Sequence, residues 1–116
     1  GPGWPLMDPR YALLADQLLL IERELRVLGW WADTAPSAEA LASVEPFCVD
    51  TLAFEHWLQW VFLARMKAII EQGGALPAVS GIWPMAEMAF QGRLAQAGAL
   101  LAVLGEFDQL ISGVAS

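Results

Sequence analysis

The fold is indicated most clearly by residues 8–29, which read DPRYALLADQLLLIERELRVLG. Asp8 can cap the free amides of a first helical turn, and Pro9 fits that turn because its missing N–H would have had no partner there. Apolar residues then recur at alternating steps of three and four, the spacing of one helix face. They are Tyr11, Leu14, Leu18, Ile21, Leu25 and Leu28. With Gly29 as a terminator, the segment predicts a helix near Pro9–Leu28.

Two further long helices are predicted downstream. One covers about Ala53–Gln72 and stops at the Gly73-Gly74 pair, since glycine accepts the left-handed conformation of a helix end. The other covers roughly Arg93–Ser112, and a short helix is expected to begin at Pro84. No strand-like alternation occurs in the sequence. The prediction is therefore an all-α helical bundle of three long helices plus one or two short ones.

A long connection separates the first two predicted helices, from Trp30 to about Asp50. A connection of this length in a compact domain is usually functional or packs as structure of its own. Ser37 is a suitable cap for a short helical turn, and Phe47 offers an apolar side chain for packing. We therefore expect this segment to be ordered against the bundle.

The length and composition fit one domain. The chain has 116 residues, of which 57% are hydrophobic and 16% charged, whereas typical domains have about 45–50% and about 25%. Either the core is large or apolar surface remains for a partner. We expect residues 1–6 to be a cloning remnant and residues 7–116 to form a single helical-bundle domain.

The charge balance is acidic, with 13 acids against 6 bases and a formal net charge of -7. Nucleic acids and anionic membranes attract clustered Lys and Arg, but Lys67 is the single lysine and the arginines are scattered. We expect no direct binding to either, and a basic protein partner suits the charge better. The lone cysteine, Cys48, and the absence of a long apolar run indicate a cytoplasmic protein.

No set of residues in the sequence resembles a catalytic or metal centre. His56 is the only histidine and Cys48 the only cysteine, whereas zinc sites need several such ligands at set spacings. A nucleophile also needs a base and an oxyanion site in a larger fold. We predict no catalytic residue, no metal ligand and no cofactor.

Arg65 is the most unusual charged residue. By helical angle it lies in the middle of the apolar face that contains Phe54 and Trp57, where an unpaired charge would be costly. We predict that Arg65 is substantially buried and bonded either to a carboxylate, with Asp50, Glu87 and Asp108 as candidates, or to several backbone carbonyls of the segment 46–51. The alternative is a ligand-binding arginine, and an open pocket with an unpaired Arg65 would favour it.

Two apolar rows lie off the main faces of their helices, and they are the candidate interface. The sequence contains six tryptophans, most of which we expect in the core, with Trp60 as the exception. The first row is Leu13, Leu20 and Val27, and the second is Trp60, Leu63 and Ile70. Such rows indicate either a central position in the bundle or a binding surface. We predict that at least one row is partly exposed and serves self-association or a partner.

The middle of the chain resembles the YqcC-like family of short bacterial helical-bundle proteins. The motifs that carry the resemblance are Glu45-Pro46-Phe47, Asp50-Thr51, Trp57-Leu58-Gln59-Trp60-Val61, Arg65-Met66, Leu76-Pro77 and Glu87-Met88-Ala89. They cover about Glu45 to Ala89, and the run Trp-Leu-Gln-Trp followed by Arg-Met is the most distinctive.

This resemblance implies a link to tRNA modification, because family members are often encoded beside tRNA pseudouridine synthase C. It does not imply that the chain is the synthase, which needs a catalytic Asp within a mixed α/β domain. The predicted function is a non-catalytic accessory protein with that synthase as its protein partner. Two alternatives stay open: a small-ligand or enzymatic site around Arg65 and the tryptophans, and a structural homodimer.

Overall fold

The computed structural model describes residues 8–113, and over this range every regular element is helical. The elements are α1 (Arg10–Val27), α2 (Ala38–Leu41), a 3-10 turn (Pro46–Cys48), α3 (Phe54–Trp57), a π-helical segment (Leu58–Phe62), α4 (Leu63–Gln72), α5 (Ile82–Ala89) and α6 (Gly98–Ser112). The continuous run of α3, the π segment and α4 is called the central helix below. The predicted all-α bundle is confirmed, while the cloning remnant expected at residues 1–6 lies outside the described residues.

The helix ends follow the sequence signals with two shifts. The Asp8 carboxylate accepts a hydrogen bond from the Arg10 amide at 2.9 Å, and Gly73 ends the central helix with φ 63°. Helix α5 begins at Ile82, two residues before Pro84. Helix α6 begins at Gly98 rather than Arg93, because Ala97 leaves helical geometry with φ -88° and ψ 5°.

The core lies where α1 and α6 pack against each other, with α4 on one side of α1 and α5 against α6. Five of the six residues in the first predicted stripe are buried, and Leu28 is half-buried. Each buried Leu or Ile stabilises the fold by about 1.5–3 kcal/mol relative to exposure. The facing core residues of α6 are Leu100, Leu104, Phe107 and Ile111. Within residues 8–113, no helix combines the length and apolar character needed to cross a lipid bilayer.

The π segment changes which residues of the central helix face the core. A π turn holds more residues than an α turn, so the residues after it are rotated by about 100° relative to a continuous α-helix. Leu63 and Met66 are therefore buried, whereas Ala68 is exposed, although a regular α-helix would place it on the same face as Phe54 and Trp57. The same rotation moves Arg65 to the surface.

The long connection forms local structure, as expected. Ser37 caps α2 by accepting a hydrogen bond from the Ala40 amide at 3.1 Å. The Thr51 hydroxyl donates to the Ala40 carbonyl at 2.7 Å, which ties the end of the connection back to α2. The ring of Phe47 lies 4.8 Å from that of Trp57. These contacts hold the connection against the central helix.

Candidate functional site

Two clefts meet on the surface of the central helix and share Trp60 and Ala64. The first has a volume of about 540 Å³ and lies between the central helix and the 3-10 turn. The second has a volume of about 470 Å³ and lies between the central helix and the segment 31–33. We call the two clefts together the Trp60 trough. Its side chains include Arg26, Trp31, Asp33, Glu45, Phe47, Trp57, Trp60, Arg65 and Lys67.

The outer wall of the first cleft is built on an unusual backbone. Phe47 and Cys48 both adopt positive φ, 58° and 50°, a conformation that costs a non-glycine residue about 1–2 kcal/mol. The Cys48 carbonyl accepts hydrogen bonds from the amides of Thr51 at 3.0 Å and Leu52 at 2.8 Å. This turn presents the Phe47 ring edge-on to Trp57, at an interplanar angle of 64°. Surrounding contacts thus hold a strained turn that shapes the cleft.

The second cleft depends on Gln59, a residue that the apolar pattern of the sequence does not single out. Gln59 is buried, and its side chain bonds to both backbone groups of Ala32. This fixes the segment that carries Trp31, whose ring lies 4.6 Å below the Arg26 guanidinium. The signal available in the sequence was a single amide among apolar residues in Trp57-Leu58-Gln59-Trp60-Val61.

Arg65 is exposed, so the predicted buried ion pair is wrong. Among residues 8–113 it has neither a hydrogen bond nor a salt bridge, so it does not pair with Asp50, Glu87 or Asp108, nor with the carbonyls of the segment 46–51. Asp50 is exposed and accepts a hydrogen bond from the Ser43 hydroxyl, while Glu87 is half-buried. The cause is the π segment, which rotates Arg65 off the apolar face and onto the wall of the first cleft.

The cations of the chain are unevenly placed. Arg26, Arg65 and Lys67 line the trough, which is half of the 6 Lys and Arg residues in a chain of net charge -7. Arg26 and Lys67 both pair with Glu22, at 3.0 and 3.5 Å. Arg65 is thus the cation of the trough that has no ion pair within the described chain.

The two candidate interface rows differ in exposure. The first row lies on the solvent side of α1. The exposed fractions of its side chains are 53% for Leu13, 37% for Leu20 and 72% for Val27. Leu63 of the second row is buried, whereas Trp60 and Ile70 are half-buried. The first row is therefore exposed as expected, while its role as an interface stays a prediction.

The tryptophans were expected mostly in the core; Trp30, Trp31 and Trp57 pack against it, but no described tryptophan is fully buried. The described ones are Trp30, Trp31, Trp57, Trp60 and Trp83, of which the first four are half-buried and Trp83 is exposed. Tryptophan is rarely buried completely, and it is often found where an apolar body meets solvent. Three of the five line the trough, namely Trp31, Trp57 and Trp60.

The trough brings aromatic faces and cationic groups together. Indole and phenyl faces provide apolar contact, while guanidinium and ammonium groups bind carboxylates or phosphates. Cys48 is buried at the first cleft, and the described part of the chain has no cluster of three His, Cys, Asp or Glu residues that could hold a metal ion.

Comparison with known proteins identifies relatives of this chain. The model of the DUF446 family, described as tRNA pseudouridine synthase C, matches residues 13–110. The uncharacterized protein YqcC of Escherichia coli K12 is 33% identical over 100 residues, which cover 86% of this chain and 92% of that protein. An uncharacterized protein of Haemophilus influenzae is 46% identical over 67 residues, covering 58% of this chain and 63% of that protein.

A third relative is much longer than the matched region. The tRNA pseudouridine synthase C of Pectobacterium carotovorum is 51% identical over 57 residues, which cover 49% of this chain and 15% of that protein. The matches therefore span less than two thirds of both the Haemophilus and the Pectobacterium proteins.

The fold comparison agrees with the sequence comparison. The solution NMR structure of E. coli YqcC superposes with a TM-score of 0.81 at 30% identity, over 94% of this chain and 93% of that one. Family model, sequence and fold point to the same group of proteins. The chain belongs to the YqcC-like family, DUF446.

Proposed function

We propose that this chain is a non-catalytic accessory protein that binds a tRNA pseudouridine synthase C-type enzyme. The observation that carries the proposal is the Pectobacterium relative, in which a segment similar to 57 residues of this chain makes up 15% of a polypeptide named tRNA pseudouridine synthase C. A unit joined to an enzyme in one chain stays at high effective concentration beside it. A separate chain of the same family would reach such an enzyme by binding, in the cytoplasm.

The charge of the chain supports this partner. An enzyme that binds tRNA presents Lys and Arg to the phosphate backbone. A partner of net charge -7 complements a basic surface and is steered towards it. The same charge disfavours direct contact with tRNA, so the accessory protein would act through the enzyme.

The test is a binding experiment with the purified synthase C-type enzyme of the same organism. We expect the two proteins to co-elute in size-exclusion chromatography, and calorimetry to show an affinity that falls as salt is added. An unrelated pseudouridine synthase serves as the control and should not bind. If the chain and the enzyme elute separately at micromolar concentration and physiological salt, the proposal fails.

A second candidate function is a small-ligand site in the first cleft. It is favoured by the exposed Arg65 on the wall of a cleft of about 540 Å³, within the range of about 300–1,000 Å³ found for ligand sites. An NMR titration with benzoate, a simple aromatic carboxylate, tests it through the indole N–H signals of Trp57 and Trp60. Shifts that disappear in Arg65→Gln would support this candidate, and unchanged spectra at millimolar benzoate would count against it.

A further inference from the structure

We infer that the Trp60 trough binds an extended acidic segment of the partner protein, with an apolar residue against Trp60 and a carboxylate on Arg65. This inference rests on the proposed function for the identity of the partner. The binding chemistry itself is read from the trough.

The shape of the trough fits a chain segment better than a small molecule. Its two clefts share Trp60 and Ala64, so a bound segment can pass over one indole and contact both sides of it. Small-molecule sites enclose about 70–90% of their ligand. Here Glu45, Ala64 and Arg65 at the first cleft and Lys67 at the second are all exposed, so the trough is open to solvent on both sides of Trp60.

Arg65 favours an acidic group in the occupant of the trough. Arg26, Arg65 and Lys67 line it together with two acids, Asp33 and Glu45, in a chain whose net charge is -7. Glu22 engages the other two cations, whereas Arg65 has no intramolecular ion pair among residues 8–113. A planar guanidinium in this state can accept a carboxylate in bidentate geometry. An acidic side chain therefore matches the one cation of the trough that is available.

Trp60 provides the apolar anchor. It is half-buried, and its Nε1–H is buried without an acceptor among the described residues. Because this N–H is buried, a bound segment would contact the exposed part of the indole ring and not the Nε1 atom. Tryptophan and arginine are also the residue types most enriched among the dominant residues of protein interfaces. The pair Trp60 and Arg65 combines both on one wall.

Aromatic rings next to Arg and Lys also occur in sites for single-stranded nucleic acid. A polyanion, however, would approach a chain that carries 13 acids against 6 bases, and counterion release rewards only surfaces with many cations. A protein segment with a few carboxylates meets less repulsion. The balance of charge therefore favours a peptide over RNA.

The first test selects random peptides displayed on phage against the full chain. We expect enrichment of sequences with Asp or Glu beside Trp, Phe or Leu. A synthetic peptide from the enriched set should bind Arg65→Glu about tenfold to a hundredfold more weakly, the loss of one charge-assisted contact. The matched control is Arg23→Glu, the same change at an exposed arginine of α1 outside the trough. Enrichment without acids, or equal binding to Arg65→Glu, would overturn the inference.

The second test repeats the comparison with the synthase C-type enzyme. A complex that forms with wild type and Arg23→Glu but not with Arg65→Glu supports both proposals. If Arg65→Glu binds the enzyme as wild type does, the trough inference fails while the proposed function stands. If no variant binds the enzyme but peptide binding depends on Arg65, the proposed function fails and the trough assignment holds. A gel shift of tRNA that depends on Arg65 would assign the trough to RNA and overturn the inference.

Discussion

The Gln59 side chain pairs with both backbone groups of Ala32. The Ala32 amide donates to Gln59 Oε1 at 2.8 Å, and Gln59 Nε2 donates to the Ala32 carbonyl at 2.7 Å. A primary amide can make this two-bond contact because it carries a donor and an acceptor side by side. One buried residue of the π segment thus fastens the connection to the central helix.

Replacing Gln59 with leucine should therefore destabilise the fold. Leucine has a similar size but cannot form either hydrogen bond, so the amide and carbonyl of Ala32 lose their partners. We expect the free energy of unfolding to fall by about 2–3 kcal/mol. Urea unfolding followed by circular dichroism measures the change. Gln72→Leu, at an exposed position near the helix end, is the control and should stay within about 0.5 kcal/mol. Equal midpoints for both variants would show that the Ala32 contact is unimportant for stability.

The sequence was informative wherever structure is decided locally. The apolar period of three and four in α1 reflects the geometry of a single helix, so it placed the helix and its buried face without any knowledge of the neighbours. The same reasoning selected Trp60, because it lies off the main apolar face of its helix. It selected Arg65, because a charged residue on an apolar face conflicts with the pattern.

The π segment could not be foreseen, because an extra residue in a helical turn is selected by tertiary packing rather than by local propensity. Its omission explains two errors, the burial predicted for Arg65 and the off-face position predicted for Leu63. The role of Gln59 was equally inaccessible, since its partner Ala32 is 27 residues away in the chain. A helical pattern that repeats every three or four residues carries no information about contacts between residues so far apart in the chain.

The rotation caused by the π segment predicts a contrast between two apolar residues. Leu63 is 1% exposed and Val27 is 72% exposed, although both lie in rows that a regular α-helix would place off the core. Leu63→Ala should lower the free energy of unfolding by about 2–5 kcal/mol. Val27→Ala should change it by less than about 0.5 kcal/mol. Thermal unfolding of the two variants in parallel provides the measurement, and similar melting temperatures would contradict the assigned register.

Asp108 caps helix α5 from a neighbouring helix. Its carboxylate accepts hydrogen bonds from the amides of Ile82 at 3.0 Å and Trp83 at 2.8 Å, and from the Ser80 hydroxyl. Asp108→Ala should therefore cost about 2 kcal/mol, as for loss of a strong helix cap. Hydrogen exchange should also become faster at the first amides of α5. Asp16→Ala, at an exposed aspartate, is the control, and unchanged exchange in Asp108→Ala would contradict the capping role.

The pair Asp8 and Arg10 predicts a pH effect at the start of α1. Hydrogen bonds from the Arg10 side chain and then from its amide lower the pKa of the Asp8 carboxyl below its ordinary value. Because the folded pKa is the lower one, the contribution to stability is present above the unfolded pKa, about 3.9. It is lost as the pH falls through the folded pKa.

An NMR titration of the Asp8 carboxyl carbon measures this shift directly. The variant Arg10→Gln should raise the Asp8 pKa towards its ordinary value, because the charged partner is gone. Arg10 also donates to the carbonyls of Leu110 and Ile111 at 3.0 and 2.9 Å, so the variant should unfold more easily as well. Arg23→Gln is the control for the removal of a distant charge. An Asp8 pKa that is the same in wild type and Arg10→Gln would disprove the assigned cause.

In the homodimer hypothesis, the dimer interface is the exposed row of Leu13, Leu20 and Val27. Burial of such a row against a second copy would be favourable, but two chains of net charge -7 repel each other at low ionic strength. Added salt screens the repulsion and leaves the apolar contact. We therefore expect analytical ultracentrifugation to show mainly monomer at low salt and a growing dimer fraction as salt is added.

In the double variant Leu20→Ser with Val27→Ser, the dimer fraction should no longer increase with salt. The monomer should stay folded, because both side chains are exposed in the monomer. Val44→Ser removes a valine that is even more exposed and lies outside the row, in the connection, and this variant should dimerise as wild type does. If the double variant forms the same dimer as Val44→Ser, the row is not the dimer interface. If wild type remains monomeric at every salt concentration, the homodimer hypothesis is wrong, and the row is left for the partner enzyme.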